Sequence, residues 1–144
     1  VLTRKVAAWG GSATIRCQVD HPVAPAHLLG ALQVGPHVVC TRVQKAIIGD
    51  GSIVMHGAHV GPNARIGLNC IINTKTIIEH DVEVGDHCHI STGSIVNGHS
   101  TIGNQSFIGS GAIIRQNISI GRKCFVNANL FINANLKDNT FKKK

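Results

Sequence analysis

Ile66-Gly67-Leu68-Asn69-Cys70-Ile71-Ile72-Asn73-Thr74-Lys75-Thr76-Ile77-Ile78 decides the fold. Ile returns at 66, 72 and 78, a period of six. Extended both ways, that phase opens fifteen consecutive steps with Ile or Val: Ile48, Val54, Val60, Ile66, Ile72, Ile78, Val84, Ile90, Val96, Ile102, Ile108, Ile114, Ile120, Val126 and Ile132. The fifth place of each step is mostly small or apolar, from Ser52, Ala58 and Ala64 to Cys124, Leu130 and Leu136. Each step therefore turns two residues inward. A helix needs apolar spacing of three and four, and a lone amphipathic strand alternates with period two; neither pattern is present. Six residues suit a short strand plus a corner, and three such sides close an eighteen-residue coil. Stacked coils pair as parallel strands about 4.8 Å apart. The second place is often Gly (Gly49, Gly61, Gly67, Gly85, Gly103, Gly109, Gly121) or Asn. It reads as the place where each turn takes a positive φ.

A self-repeat this regular resembles the hexapeptide-repeat superfamily, which implies an all-β, left-handed parallel β-helix of about five to six coils. The left hand comes from the resemblance alone, since crossovers are normally right-handed. Residues 34–137 read as the solenoid, with one rough coil from Val34 preceding a two-residue slip at Ala46-Ile47. Residues 1–33 read as an irregular lead-in, the remnant of a missing N-terminal domain, and 138–144 as a basic C-terminal tail. Lys137-Asp138-Asn139 is placed to close the last coil. The resemblance also implies a homotrimer with active sites between neighbouring chains.

The chain has 144 residues and a net charge of +7. A basic balance suits nucleic acid, an anionic membrane or a phosphorylated small molecule. There is no Tyr and no basic helix, which argues against single-strand nucleic-acid binding, where bases stack on aromatic platforms. No stretch is long and apolar enough for a membrane span. The phosphates of a nucleotide cofactor and a plain solvated basic surface both remain open as readings of the charge. Of five cysteines, Cys70, Cys88 and Cys124 occupy the inward fifth place and read as buried small apolar residues. Cys70 and Cys88 are one coil apart and should stack. No CxxC pair occurs, so a reduced, cytoplasmic setting is expected.

The segment from Asn73 to Ser91 concentrates the chemistry. His80 takes the third place of its step and Asp81 the fourth, both near a corner where side chains point outward. A neutral imidazole accepts a proton from an attacking amine or hydroxyl, and a neighbouring carboxylate holds its tautomer. Either Asp81 or Glu79 supplies that carboxylate. Asn73-Thr74, then Ile78-Glu79-His80-Asp81, then Val84-Gly85 and His89, is similar to the sialic-acid O-acetyltransferase and bacillosamine-pathway sugar N-acetyltransferase family. The matching stretch runs from about residue 21, at His21-Pro22, to 130. The resemblance implies transfer of an acetyl group from acetyl-CoA to an amine or hydroxyl of a sugar or nucleotide-sugar. It puts the general base on His80 and its supporting acid on Asp81, where the family often has Glu. In that family a second His nine residues later contacts acetyl-CoA, which falls on His89, and Asn73 matches an Asn near the acyl site. Ser110 and Ala128 match cofactor-contacting positions; the bland reading is small turn residues. Thr92, Ser110 and Ala128 lie eighteen apart, which leaves a ladder of small side chains for a pantetheine arm. Gly98 stacks over His80, where its N–H is placed to stabilise an oxyanion. Arg122 and Lys123 read either as contacts to coenzyme A phosphates or as a solvated corner, and His87 and His99 as facing solvent. His89, Phe107 and Phe125 form one column.

Two other classes share the scaffold. A γ-type carbonic anhydrase holds zinc on three His, but His56/His59, His80/His87 and His87/His89 lack its spacing, so no metal site is assigned. A catalytically silent solenoid, acting as a structural or binding module, is the remaining alternative.

Overall fold

The computed structural model describes residues 45–143, together with three short strands, Lys5–Val6, Ala13–Thr14 and Thr41–Arg42. Of the lead-in expected over 1–33, only the antiparallel pair of Lys5–Val6 with Ala13–Thr14 is described. The His21-Pro22 entry, Cys17 and Cys40 lie outside the described residues.

From residue 41 onward every strand is two residues long, and each pairs parallel with the strand eighteen residues away, except that Phe141–Lys142 pairs with Phe125–Val126 across sixteen. Three faces result. The first holds Ile47–Ile48, Arg65–Ile66, Glu83–Val84, Thr101–Ile102 and Ser119–Ile120. The second holds Ile53–Val54, Ile71–Ile72, His89–Ile90, Phe107–Ile108 and Phe125–Val126, and Phe141–Lys142 adds a sixth rung to it. The third holds Thr41–Arg42, His59–Val60, Ile77–Ile78, Ile95–Val96, Ile113–Ile114 and Phe131–Ile132. Thr41–Arg42 pairs with His59–Val60, so one strand of an earlier coil precedes Ile47–Ile48 by six residues, in the same phase, and the slip expected at Ala46-Ile47 is corrected: no extra residues separate these two strands. The basic tail from 138 is therefore partly built into the solenoid.

From Ile47–Ile48 to Phe131–Ile132 the second residue of each two-residue strand points inward. Val54, Val60, Ile72, Ile78, Ile90, Val96, Ile108, Ile114 and Val126 are fully buried, and fifth-place residues from Ala46 to Cys124 fill the gaps between them. The inward column Ser52, Cys70, Cys88, Ser106, Cys124 is a polar ladder in an apolar core. Each hydroxyl or thiol donates to a corner carbonyl of the next coil, as Ser106 Oγ does to Gly121 O at 2.9 Å and Cys70 Sγ to Gly85 O at 3.0 Å. Ser52, Cys70 and Ser106 also accept from the backbone above, as Cys124 N donates to Ser106 Oγ at 3.0 Å. Cys70 and Cys88 stack as expected, with Cys88 N on Cys70 Sγ at 3.4 Å. The hydrogen bond with Cys70, and then burial, push the Cys88 thiol up, so it stays protonated.

Another expectation is corrected. Positive φ falls at the fourth place of the step, not the second. There it is borne by Asn63, Asn69, Lys75, Asp81, His87, His99, Gln105 and others. The second-place glycines answer a different demand, close approach of backbone between coils. A Cβ on Gly109 would lie 2.6 Å from Ala128 N, and one on Gly49 would lie 2.5 Å from Gly67 O. A side chain there forces two coils apart.

The outward residues differ between faces. The second face shows Ile53, Ile71, His89, Phe107, Phe125 and Phe141; the third shows His59, Ile77, Ile95, Ile113 and Phe131. The first shows Ile47, Arg65, Glu83, Thr101 and Ser119. Two faces are thus largely apolar outside as well as inside, and Phe131 is 61% exposed.

Candidate active site

The corner between the third and first faces repeats at 61–64, 79–82, 97–100 and 115–118. At its centre stand His80 and Asp81. Asp81 adopts φ +57°, a left-handed turn that Asp tolerates better than most residues. Its amide donates to Pro62 O one coil below at 3.0 Å. This turn swings the carboxylate beside the preceding imidazole, and His80 Nδ1 lies 2.9 Å from Asp81 Oδ2. Asp81, not Glu79, is therefore the partner.

The carboxylate is held from two further sides. Asn63, eighteen residues before it, donates its Nδ2–H to Asp81 Oδ1 at 3.1 Å. His99, eighteen after it, sets Nε2 at 3.8 Å from Oδ2 and its ring edge-on to His80 with centroids 5.1 Å apart. The hydrogen bond from His80, and then that from Asn63, hold the Asp81 carboxyl below the usual carboxylate range. A carboxylate acceptor fixes the proton of His80 on Nδ1 and leaves the Nε2 lone pair free.

Gly98 makes room for that ring. A Cβ on Gly98 would stand 2.5 Å from His80 Cε1 and 2.6 Å from Nε2. Its φ is ordinary, so glycine here is needed for the imidazole rather than for the backbone. The Gly98 N–H finds no acceptor among the described residues. Gly61, one coil below, meets the backbone at Glu79 and His80 and seats the strand that carries the base.

The remaining expected residues gather elsewhere. Asn73 Nδ2 donates to His89 Nε2 at 3.2 Å, while its Oδ1 accepts from Thr74 N at 2.7 Å. Burial holds His89 below the usual imidazole range, so it is neutral. His89 meets Phe107 edge-on at 5.2 Å, and Phe107, Phe125 and Phe141 continue the column as a stack. Ser110 Oγ shares a hydrogen bond of 2.9 Å with the buried Ser91. Thr92, Ser110 and Ala128 do form a vertical ladder, with Gly111 N on Thr92 O and Asn129 N on Ser110 O. This whole set belongs to the second face and its corner with the third. His80, Asp81 and Gly98 belong to the next corner, across the third face. One chain holds the two groups on separate corners and does not bring them together.

Arg122 is tied to Asp138, through its amide at 2.8 Å and its Nε at 3.3 Å. Those bonds, the backbone one first, hold the Asp138 carboxyl low and tie this corner to the coil below; the coil does not close at Lys137-Asp138-Asn139 as expected, because Phe141–Lys142 carries the second face on. His87 and His99 are exposed as expected, but His99 also crowns Asp81, which sequence reading missed along with Asn63. Counting eighteen either way from Asp81 is the signal that finds both. Beside the pair, a groove of about 440 Å³ is lined by Lys45, Ile47, Asn63, Arg65, Asp81 and Glu83. Neither Lys45 nor Arg65 forms an ion pair among the described residues.

Residues 40–136 match the family described as the GMPPB C-terminal domain. No curated protein matches the chain significantly. Among solved structures, the acetyltransferase domain of PglB from Neisseria gonorrhoeae FA1090 in complex with acetyl coenzyme A aligns at 32% identity and a TM-score of 0.69, over 74% of this chain and 51% of that one. The same domain without ligand aligns at 31% identity and 0.70, over 75% and 52%. PerB from Caulobacter crescentus, in complex with CoA and GDP-perosamine, aligns at 30% identity and 0.68, over 73% and 50%. The chain spans about half the length of these structures, and the left-handed coil expected from the sequence fits them.

Proposed function

Since the chain belongs to the GMPPB C-terminal domain family, with sugar acetyltransferases among its structural neighbours, we propose that it catalyses acetyl transfer from acetyl-CoA to an amine or hydroxyl of a nucleotide-sugar. The observation that carries the reading is the 2.9 Å bond from His80 Nδ1 to Asp81 Oδ2, beside a glycine that leaves Nε2 room. The acceptor attacks the thioester carbonyl carbon while Nε2 takes its proton. The new C–N or C–O bond forms, the C–S bond breaks, and the imidazolium returns the proton to the departing thiolate. Asp81 stabilises the imidazolium, and the unpaired Gly98 N–H is placed to meet the oxyanion. General-base assistance contributes on the order of 10²–10⁴ in rate, and alignment of the two substrates contributes more.

His89, Asn73, Ser110 and Ala128 hold the acyl donor on one copy, and His80 and Asp81 of a neighbouring copy complete the site. The apolar outer columns of the second and third faces support such an assembly, a homotrimer, because patches of that kind mark contacts. The groove beside Asp81 supports a phosphorylated acceptor: its size suits a small molecule, and Lys45 and Arg65, which share it with Asp81 and Glu83 but form no ion pair among the described residues, suit phosphate. Neighbours with CoA and GDP-perosamine bound are in line with both substrates. A cytoplasmic setting, where these metabolites are made, goes with the reading.

His80→Ala tests it. CoA thiol release with acetyl-CoA and GDP-perosamine or a related amino-sugar nucleotide should fall at least about a hundredfold, with the circular dichroism of the solenoid unchanged. Undiminished turnover would remove His80 from the mechanism.

A further inference from the structure

We propose that His80, Asp81 and His99 form a binding site for a late first-row divalent cation, zinc(II) above all, and that occupancy switches the base off. The site rests on geometry alone; only the switch rests on His80 being the base.

The three donor atoms all lie within 4.8 Å of one another. Tetrahedral zinc with ligands at about 2.0–2.1 Å needs ligand atoms roughly 3.3 Å apart. His80 Nδ1 to Asp81 Oδ2 is 2.9 Å and must open slightly; His99 Nε2 to Oδ2 is 3.8 Å and must close slightly. The His99 side chain is 54% exposed and free to make that adjustment. Asp81 is already oriented for one-oxygen ligation, because Asn63 occupies Oδ1 and leaves Oδ2 facing both imidazoles. Two imidazoles and one carboxylate suit zinc, cobalt or copper, whereas magnesium and calcium ask for oxygen ligands. A fourth position stays open toward the solvent side. The three ligands are not a family spacing motif in the chain. They meet because 99 stacks one coil above 81.

The chemical consequence follows from the tautomer. A cation on His80 Nδ1 displaces the proton there, which moves to Nε2. An imidazole with Nε2–H has no lone pair to take a proton from the acceptor, and Asp81 is engaged on the metal. Metal binding and proton abstraction then exclude one another at the same two residues.

The test uses the full chain stripped with chelator, titrated with zinc by calorimetry and with cobalt(II) by visible absorption. The expected result is one cation per chain, with the intense d–d bands of tetrahedral cobalt. His99→Gln and Asp81→Asn should each weaken binding at least about tenfold, while His87→Gln, a histidine exposed on another corner, should not. Equal affinity in His99→Gln and the parent overturns the site, as does binding weaker than about 1 mM. In a second arm, zinc inhibits acetyl transfer by the parent over the same concentration range in which it binds. Stoichiometric binding without inhibition overturns the switch and counts against His80 as base, while leaving the cation site standing.

Discussion

Gly98→Ala isolates the placement of the imidazole from every other property of the corner. The substitution adds one carbon, 2.5 Å from His80 Cε1, 2.6 Å from Nε2 and 3.1 Å from Nδ1. An ordinary contact is at least 3.4 Å, so the nearest ring atom must retreat by about 0.9 Å. The backbone need not move, because φ at 98 is one that alanine adopts, and the atoms it meets belong to a half-exposed side chain. The ring swings, and the 2.9 Å bond to Asp81 Oδ2 stretches past any useful length. A misplacement of about 1 Å at a reacting group lowers turnover on the order of a hundredfold. The alanine keeps its N–H, so an oxyanion contact at 98 survives and the loss reports the imidazole alone. Two measurements go together: thiol release from acetyl-CoA with an amino-sugar nucleotide acceptor, and the NMR shift of His80 Cε1. Thermal unfolding should be nearly unchanged. A variant with parental turnover refutes the argument that glycine is kept at 98 for the ring. A variant with lower Tm and scattered chemical shifts refutes the claim that the clash is local.

Two other outcomes follow from the fold and the division of the site. Ser106→Ala removes a buried hydroxyl that donates to Gly121 O and accepts from Cys124 N; chemical denaturation should show a loss of about 1–3 kcal/mol, against almost none for the exposed Ser110→Ala. Co-expressed His80→Ala and His89→Ala chains, each inactive alone, should regain activity in mixed oligomers, with about a quarter of sites intact if copies assort at random around a symmetric ring. Mixed oligomers without activity would show that both half-sites must reside in one chain.

The period-six pattern was readable because each coil is a nearly independent copy of the last. One branched and one compact inward residue per side is a local rule, repeated until chance is excluded. His80 and Asp81 were readable for a similar reason, since their contact is between chain neighbours. The glycines misled because their cause is not local. Gly49 exists for a carbonyl eighteen residues on and Gly109 for an amide nineteen on, and a linear reading sees only a residue that bends easily. The positive φ falls instead on the fourth place, on Gly51, Gly57, Gly93, Gly111 and several Asn but also on Lys75, Asp81, His87 and His99, so no one residue type marks it. His99 and Asn63 were hidden by the same distance. Each touches Asp81 across a full coil, so only the eighteen-residue register, applied to polar as well as apolar positions, exposes them.

The placement of His80 on the prism gives assembly a second purpose. Its corner is the seam where the apolar third face ends and the polar first face begins. A neighbour packed on Ile77, Ile95 and Ile113 covers the seam from one side and leaves Arg65, Lys45 and Glu83 wet on the other. Removal of water from one flank strengthens the hydrogen bond between imidazole and carboxylate, since charges interact more strongly as the local dielectric falls. The open flank remains the route for a charged acceptor. In the isolated chain the same pair is exposed and screened: His80 and Asp81 show 43% and 35% of their side chains to solvent. In the assembly we propose, docking of the second copy would bring the acyl donor and, in the same event, raise the effectiveness of the base that uses it. The dissociated chain would be silent for two reasons at once.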